Sequence, residues 1–144
     1  MSLPDRKEGK LFTYGDCLEW NDDERWELIN GVPYNMTPAP SVNHQLITGE
    51  LHRQFANHLL GKKCKVLIAP FDVRLPENNE KDEKIITVVQ PDLSVVCDPL
   101  MLDERGCRGG PDLVIEILSP STAKKDLTLK LTCKKGLNTE AYLL

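Results

Sequence analysis

The sequence predicts a single mixed α/β (α+β) domain in which a helix and a β-hairpin precede the order α-β-β-β-α-β. Helix-like and strand-like segments alternate along the chain, an Asn-Gly dipeptide separates two short strand-like runs, and residues 111–118 form a nearly continuous apolar strand. The length of 144 residues suits one hydrophobic core. We therefore assign residues 1–12 to a polar N-terminal tail and residues 13–144 to the domain.

The first half of the chain predicts two helices with a hairpin between them. Residues 13–20 form the first helix, which Thr13 can cap. Asn30-Gly31 marks the hairpin, since both residues accept positive φ. Residues 44–60 form the second helix because apolar side chains recur every four residues on one face. This stripe consists of Ile47, Leu51, Phe55 and Leu59.

The second half predicts a strand, a second strand or strand pair, a loop with one helical turn, a third strand, a helix and a last strand. Their ranges are 65–75, 85–97, 98–110, 111–118, 119–135 and 140–144. Pro70 indicates an edge, a bulge or an interruption in the first strand, and Pro91 indicates a break in the second. The third strand is apolar on both faces, as expected for a strand covered on both sides.

Composition excludes several classes of protein. No apolar run reaches the length of a membrane span, and the polar N-terminus lacks a signal-peptide core, so we expect a cytoplasmic protein. The net charge of −4 argues against a nonspecific nucleic-acid coat. With no CxxC pair, the cysteines are expected to be reduced and mostly to fill apolar space. They are Cys17, Cys64, Cys97, Cys107 and Cys133.

Two carboxylates do not fit an ordinary core. Glu116 lies inside the apolar strand 111–118, where an unpaired charge would be costly to bury. Asp92 stands at the head of the preceding strand, directly after Pro91. A buried ion pair or an exposed strand end would also explain Glu116, and Pro-Asp dipeptides are common in turns.

Together the two carboxylates predict a site for one hard cation. Adjacent strands lie about 4.8 Å apart, and Mg²⁺ needs only one or two carboxylates besides water and substrate phosphate. Such a site usually has an E-x-K motif, but position 118 is leucine. Lys130 in the following predicted helix is the candidate replacement, although an i,i+4 ion pair with Asp126 explains it equally well.

Four further residues are candidate auxiliaries of the site. Glu50 could add a third carboxylate, although a surface position is favoured. His44 and Glu27 could form walls of the site, although a helix-cap role and a surface pair are the more ordinary explanations. Asp72, on the strand ahead of Asp92, could be its neighbour.

Several segments resemble one protein family over residues 13–144. They include ERWELINGVPYNM, APFDVRLP, QPDLSVV and PDLVIEILSPST. The sequence is similar to the Uma family, formerly a domain of unknown function, whose members are described as restriction endonucleases of the PD-(D/E)XK superfamily. The resemblance implies a restriction-endonuclease-like core and a site made of Asp92, Glu116 and Lys130. It also implies that the C-terminal strands of the family are truncated here.

Two functions remain open from the sequence. The first is a DNA endonuclease that uses Mg²⁺ or Mn²⁺, held by Asp92 and Glu116, with a homodimer as the assembly that lets each subunit cut one strand. The second is a catalytically inactive nuclease fold that binds nucleic acid or a protein. A structural domain whose carboxylates merely pair with lysines is a weaker third. Leu118 in place of the lysine keeps the second function open.

Overall fold

The computed structural model of the chain describes residues 10–20, 23–36, 40–118 and 140–143. Two helices, two short 3-10 turns and ten strands lie in these ranges. The helices are α1 (Tyr14–Leu18) and α2 (Val42–Leu59), and the 3-10 turns are Asp82–Lys84 and Pro99–Met101. The strands are β1 (Trp26–Ile29), β2 (Val32–Asn35), β3 (Lys65–Ile68), β4 (Val73–Arg74), β5 (Val88–Val89), β6 (Leu93–Val96), β7 (Leu102–Asp103), β8 (Gly106–Arg108), β9 (Leu113–Glu116) and β10 (Glu140–Leu143).

The strands form two sheets. The first sheet has the order β2-β1-β5-β4-β8-β7, and the second has the order β10-β9-β6-β3. In the second sheet, β6 is antiparallel to both β3 and β9, whereas β10 is parallel to β9. This mixed α and β architecture confirms the predicted fold class.

Local signals explain the first elements. Thr13 caps α1 through a capping box with Asp16, in which each side chain accepts a hydrogen bond from the other residue's backbone N–H. The β1–β2 turn places Asn30 at φ 49° and Gly31 at φ 80°, as an Asn-Gly hairpin requires. The predicted first helix and hairpin are therefore confirmed.

Helix α2 begins at Val42, two residues before the predicted start, because Ser41 caps it through the backbone N–H of His44. Only part of the predicted stripe reaches the core. Leu51 and Phe55 pack against a cluster of Leu93, Ile115 and Ile117 on the second sheet. Ile47 is 45% exposed, so the prediction that it belongs to the buried face of the helix was wrong.

Residues 65–74 and 88–96 form one antiparallel ribbon that crosses from the second sheet into the first. In the second sheet Ile68 pairs with Leu93, and in the first Val73 pairs with Val89. Between these pairs, four residues (69–72) lie opposite three (90–92), which is a bulge that bends the ribbon. The interruptions expected at Pro70 and Pro91 are both found in this bend.

The loop predicted for residues 98–110 is wrong in its second half, where β7 and β8 form a hairpin. Arg74, which is fully buried, forms ion pairs with Asp82 and Asp103 and so ties this hairpin to the sheet. Arg108 binds the other oxygen of Asp82 at 2.7 Å. These contacts join distant parts of the chain, so no local sequence pattern predicted the hairpin.

The expectation that the cysteines are reduced is wrong for one pair. Cys64 and Cys97 form a disulfide between the ends of β3 and β6. The register pairs Lys65 with Val96, and the two cysteines are the next residues outward on each strand. Their separation of 33 residues hid this pairing from the sequence.

The disulfide predicts a measurable sensitivity to reductant. Closing a loop of this length stabilises the fold by about 3–4 kcal/mol in the chain-entropy description. We expect dithiothreitol to lower the free energy of unfolding of the wild type by this amount in urea titrations. The Cys64→Ala/Cys97→Ala variant should match the reduced protein and ignore reductant. An unchanged wild-type transition in dithiothreitol would contradict the expectation.

Candidate active site

Asp92 lies in the bend of the ribbon, one residue before β6, and its carboxylate is held on both oxygens. The backbone N–H of Ile117 donates to Oδ2 at 2.8 Å, which ties Asp92 to the neighbouring strand β9. Nε2 of His44 lies 3.3 Å from Oδ1. The Asp92 side chain is 19% exposed, so one side of it remains accessible to solvent.

Glu116, the last residue of β9, is buried, with 2% of its surface exposed. In the register between β6 and β9, Leu93 pairs with Ile115. One step outward on each strand, Asp92 and Glu116 are therefore opposite each other. The topology brings the two carboxylates predicted as metal ligands to the same end of the same strand pair.

His44 is oriented from two directions. Its position in the first turn of α2 follows from the Ser41 cap. Its Nδ1 lies 3.4 Å from Oγ1 of Thr48, one helical turn later. With Nδ1 next to Thr48, Nε2 is directed at Asp92. The structure thus brings His44, an auxiliary candidate, into contact with Asp92.

Glu27 and Asp72 are linked through Gln90, a residue that the sequence did not single out. The backbone N–H of Gln90 donates to Glu27 at 3.0 Å, and its side-chain amide donates to Asp72 at 2.8 Å. Arg25 donates to the amide oxygen of Gln90 at 2.9 Å. Gln90 lies in the bend two residues before Asp92, so this network supports the bend rather than supplying further carboxylates to Asp92.

Burial raises the pKa of Asp72, and the hydrogen bond from Gln90 opposes this effect only in part. Asp72 also lines an open cleft of about 390 Å³ between the bend and the tip of the β7–β8 hairpin. The residues that line this cleft are Pro70, Phe71, Asp72, Gln90, Asp103, Glu104, Arg105 and Gly106. The cleft lies on the first-sheet side of the bend, and neither Asp92 nor Glu116 lines it.

Glu50 lies on the exposed surface of α2. It forms an ion pair with Arg53 and accepts a hydrogen bond from Gln54 at 2.9 Å. These contacts, above all the Arg53 hydrogen bond, hold the pKa of Glu50 at about 2. Glu50 therefore occupies the surface position that the sequence analysis favoured for it. Lys130 lies outside the described residues.

The donor set fits a hard divalent ion that keeps several waters. In the described ranges, no three His, Cys, Asp or Glu side chains gather to hold a metal by themselves. Asp92 and Glu116 supply carboxylate oxygens, and Mg²⁺ or Mn²⁺ can be held by such a pair with water and a phosphate completing the shell.

The fold is of the restriction-endonuclease-like class. It is similar to the crystal structure of a protein from Anabaena variabilis described as a putative nuclease belonging to DUF820, with a TM-score of 0.69 and 19% sequence identity. The match covers 92% of this chain and 73% of that one. None of the helices in the described ranges combines the length and apolar character that a membrane crossing requires.

The chain belongs to the family described as "Uma2: Putative restriction endonuclease", whose model matches residues 13–133. The resemblance inferred from the sequence motifs is therefore confirmed. An uncharacterised protein of Synechocystis sp. is 34% identical over 113 residues, which cover 77% of this chain. The matched region spans 55%, about half, of the length of that relative.

The contact between His44 and Asp92 predicts a local contribution to stability. Replacing His44 with alanine removes a partner of Asp92, and we expect the free energy of unfolding to fall by about 1 kcal/mol in urea titrations. His58→Ala is the matched control because His58 lies on the same helix and is exposed. Equal losses in the two variants would show that the contact with Asp92 contributes nothing.

Proposed function

We propose that this protein is a divalent-metal-dependent DNA endonuclease in which Asp92 and Glu116 hold one Mg²⁺ or Mn²⁺ ion. The observation that carries the proposal is the β6–β9 register, which sets a buried carboxylate opposite one tethered to the same strand pair. Membership of the Uma2 family supports hydrolysis of a phosphodiester bond as the reaction.

The arrangement suits this chemistry because the Asp92 carboxylate is held in place by the protein itself. The Ile117 N–H occupies Oδ2 of Asp92, and His44 contacts Oδ1. Each carboxylate oxygen has two lone pairs, so Oδ1 can keep His44 and still ligate an ion. A bound divalent ion supplies polarisation of the phosphodiester and a lower pKa for the attacking water. Glu116 and Asp92 would hold the ion beside the scissile phosphodiester, and His44 would hold the Asp92 carboxylate in its orientation.

Cleavage of supercoiled plasmid tests the proposal. We expect nicking with Mg²⁺ or Mn²⁺ and none with EDTA. Glu116→Gln preserves the shape of the side chain but removes its charge, so the nicking rate should fall on the order of 100-fold or more. Glu50→Gln is the matched control, since Glu50 is a carboxylate on the exposed face of α2. Its nicking rate should equal that of the wild type.

Two results would count against the proposal. Retained nicking in the Glu116→Gln variant would move the active site elsewhere in the chain. A folded wild type that binds plasmid but never cleaves it with either ion would favour the alternative, a binding module on an inactive nuclease fold. The observation that favours this alternative is Leu118, which stands where nucleases of this type usually place a lysine.

Lys130 is the proposed replacement for the missing lysine. Its role would be to orient the attacking water or stabilise the transition state, neither of which requires contact with the ion. We therefore expect Lys130→Ala to lower the nicking rate by about 100- to 1000-fold while Mn²⁺ binding, measured by calorimetry, stays unchanged. Lys124→Ala serves as the control from the same segment and should retain wild-type nicking. Equal rates in both variants would remove Lys130 from the site.

The proposed substrate, duplex DNA, leads to an expectation about the oligomeric state of the protein. One site of this kind cuts one strand, so a homodimer would be needed to cut both strands of a duplex together. In the plasmid assay, a dimer would yield linear DNA early, whereas a monomer would yield nicked circles first.

A further inference from the structure

Ser94 is a buried polar residue whose place in the fold the candidate ligands do not explain. Its side chain lies in the middle of β6 and is 1% exposed. Its Oγ has no hydrogen-bond partner in the described part of the chain. Burying a hydroxyl without a partner is costly, and native proteins satisfy nearly all such groups with protein atoms or ordered water. No protein atom in the described ranges satisfies the Ser94 hydroxyl, so an ordered water is the partner to expect there.

The position of Ser94 indicates where that atom lies. Ser94 pairs with Val114, and Glu116 is two residues beyond Val114 on the same strand, so Ser94 and Glu116 share one face of the sheet. The neighbours of Ser94 on that face are Asp92, Val96, Val114 and Leu67. Of these, only Asp92 has side-chain hydrogen-bonding atoms, and its two carboxylate oxygens already contact the N–H of Ile117 and Nε2 of His44. On the opposite face, Leu93 and Ile115 pack beneath α2.

The spacing fits a single water between the two side chains. Diagonal neighbours on one face of a strand pair have Cβ atoms about 7–8 Å apart or less. A water that forms two hydrogen bonds of about 2.8 Å joins oxygen atoms about 5–6 Å apart. A glutamate side chain is long enough to close the remaining gap. Its carboxylate accepts several hydrogen bonds at once, so a water adds to its other contacts without displacing them.

We propose that Ser94 is a positioning residue that orients Glu116 for metal binding through one buried water. The Ser94 hydroxyl donates to the water, and the water donates to the carboxylate. This role rests on the proposed function, because Glu116 is the ligand that it orients. Residues that hold metal ligands from behind commonly change metal affinity by 10- to 100-fold when removed.

Mn²⁺ binding without DNA tests the role of Ser94. We expect Ser94→Ala to unfold in EDTA close to the wild-type temperature, since only hydrogen bonds through the buried water are lost. The variant should bind Mn²⁺ about 10- to 100-fold more weakly in calorimetry and show a smaller Mn²⁺-induced rise in Tm. A crystal structure of the wild type should contain a water within hydrogen-bond distance of Ser94 Oγ and Glu116, and the variant should lack it.

Thr87→Val is the matched control. Thr87 is also buried, but its hydroxyl accepts a hydrogen bond from the backbone N–H of Asn30 in the β1–β2 turn. This variant should lose stability in EDTA and keep the wild-type affinity for Mn²⁺. The opposite pattern is expected for Ser94→Ala, so the pair separates a positioning role from a structural one.

The remaining outcomes separate the two proposals. If the wild type binds Mn²⁺ and Ser94→Ala binds it equally well, the role of Ser94 is overturned and the proposed function stands. If the wild type neither binds Mn²⁺ nor shows a Tm shift, while Ser94→Ala and Thr87→Val remain folded, the metal-dependent function is overturned and the role of Ser94 with it.

Discussion

The pairing of β6 with β9 determines where the candidate site lies. Its register sets Asp92 opposite Glu116, and the N–H of Ile117 fixes the Asp92 carboxylate at the end of the pair. A slip of one residue would move Glu116 to the other face of the sheet, among Leu93 and the apolar side chains beneath α2. That slip would bury the charge of Glu116 in an apolar cluster. The apolar side chains of β9 and the Glu116 carboxylate therefore favour the same register.

The bend in the long ribbon is the second constraint on the site. The same two stretches of chain serve the first sheet on one side of the bend and the second sheet on the other. A bulge of this kind re-aims side chains and is common beside functional sites. Gln90 stabilises the bend by bonding to Glu27 on β1 and to Asp72 on the other side of the bend. Asp92 is presented at the strand end because the chain changes sheets just before it.

The candidate site thus contains buried polar groups that a core selected only for stability would avoid. Glu116 and Ser94 occupy positions in a strand pair where valine or isoleucine would bury more apolar surface. Local departures from the rules of packing are expected at functional sites, where chemistry is favoured over stability. The disulfide and the Arg74 ion pairs stabilise the chain elsewhere, at the far end of β6 and in the first sheet.

The sequence by itself determined the types of most elements, the hairpin turn and the two candidate carboxylates. Capping, turn chemistry and apolar periodicity act over a few residues, and Asp92 and Glu116 are conspicuous because their neighbours are apolar. Only the tertiary structure decided the division into two sheets, the β7–β8 hairpin, the disulfide and the contacts of Gln90. Those features join residues as much as 65 positions apart. Strand register is set by packing between distant segments, which no local pattern encodes.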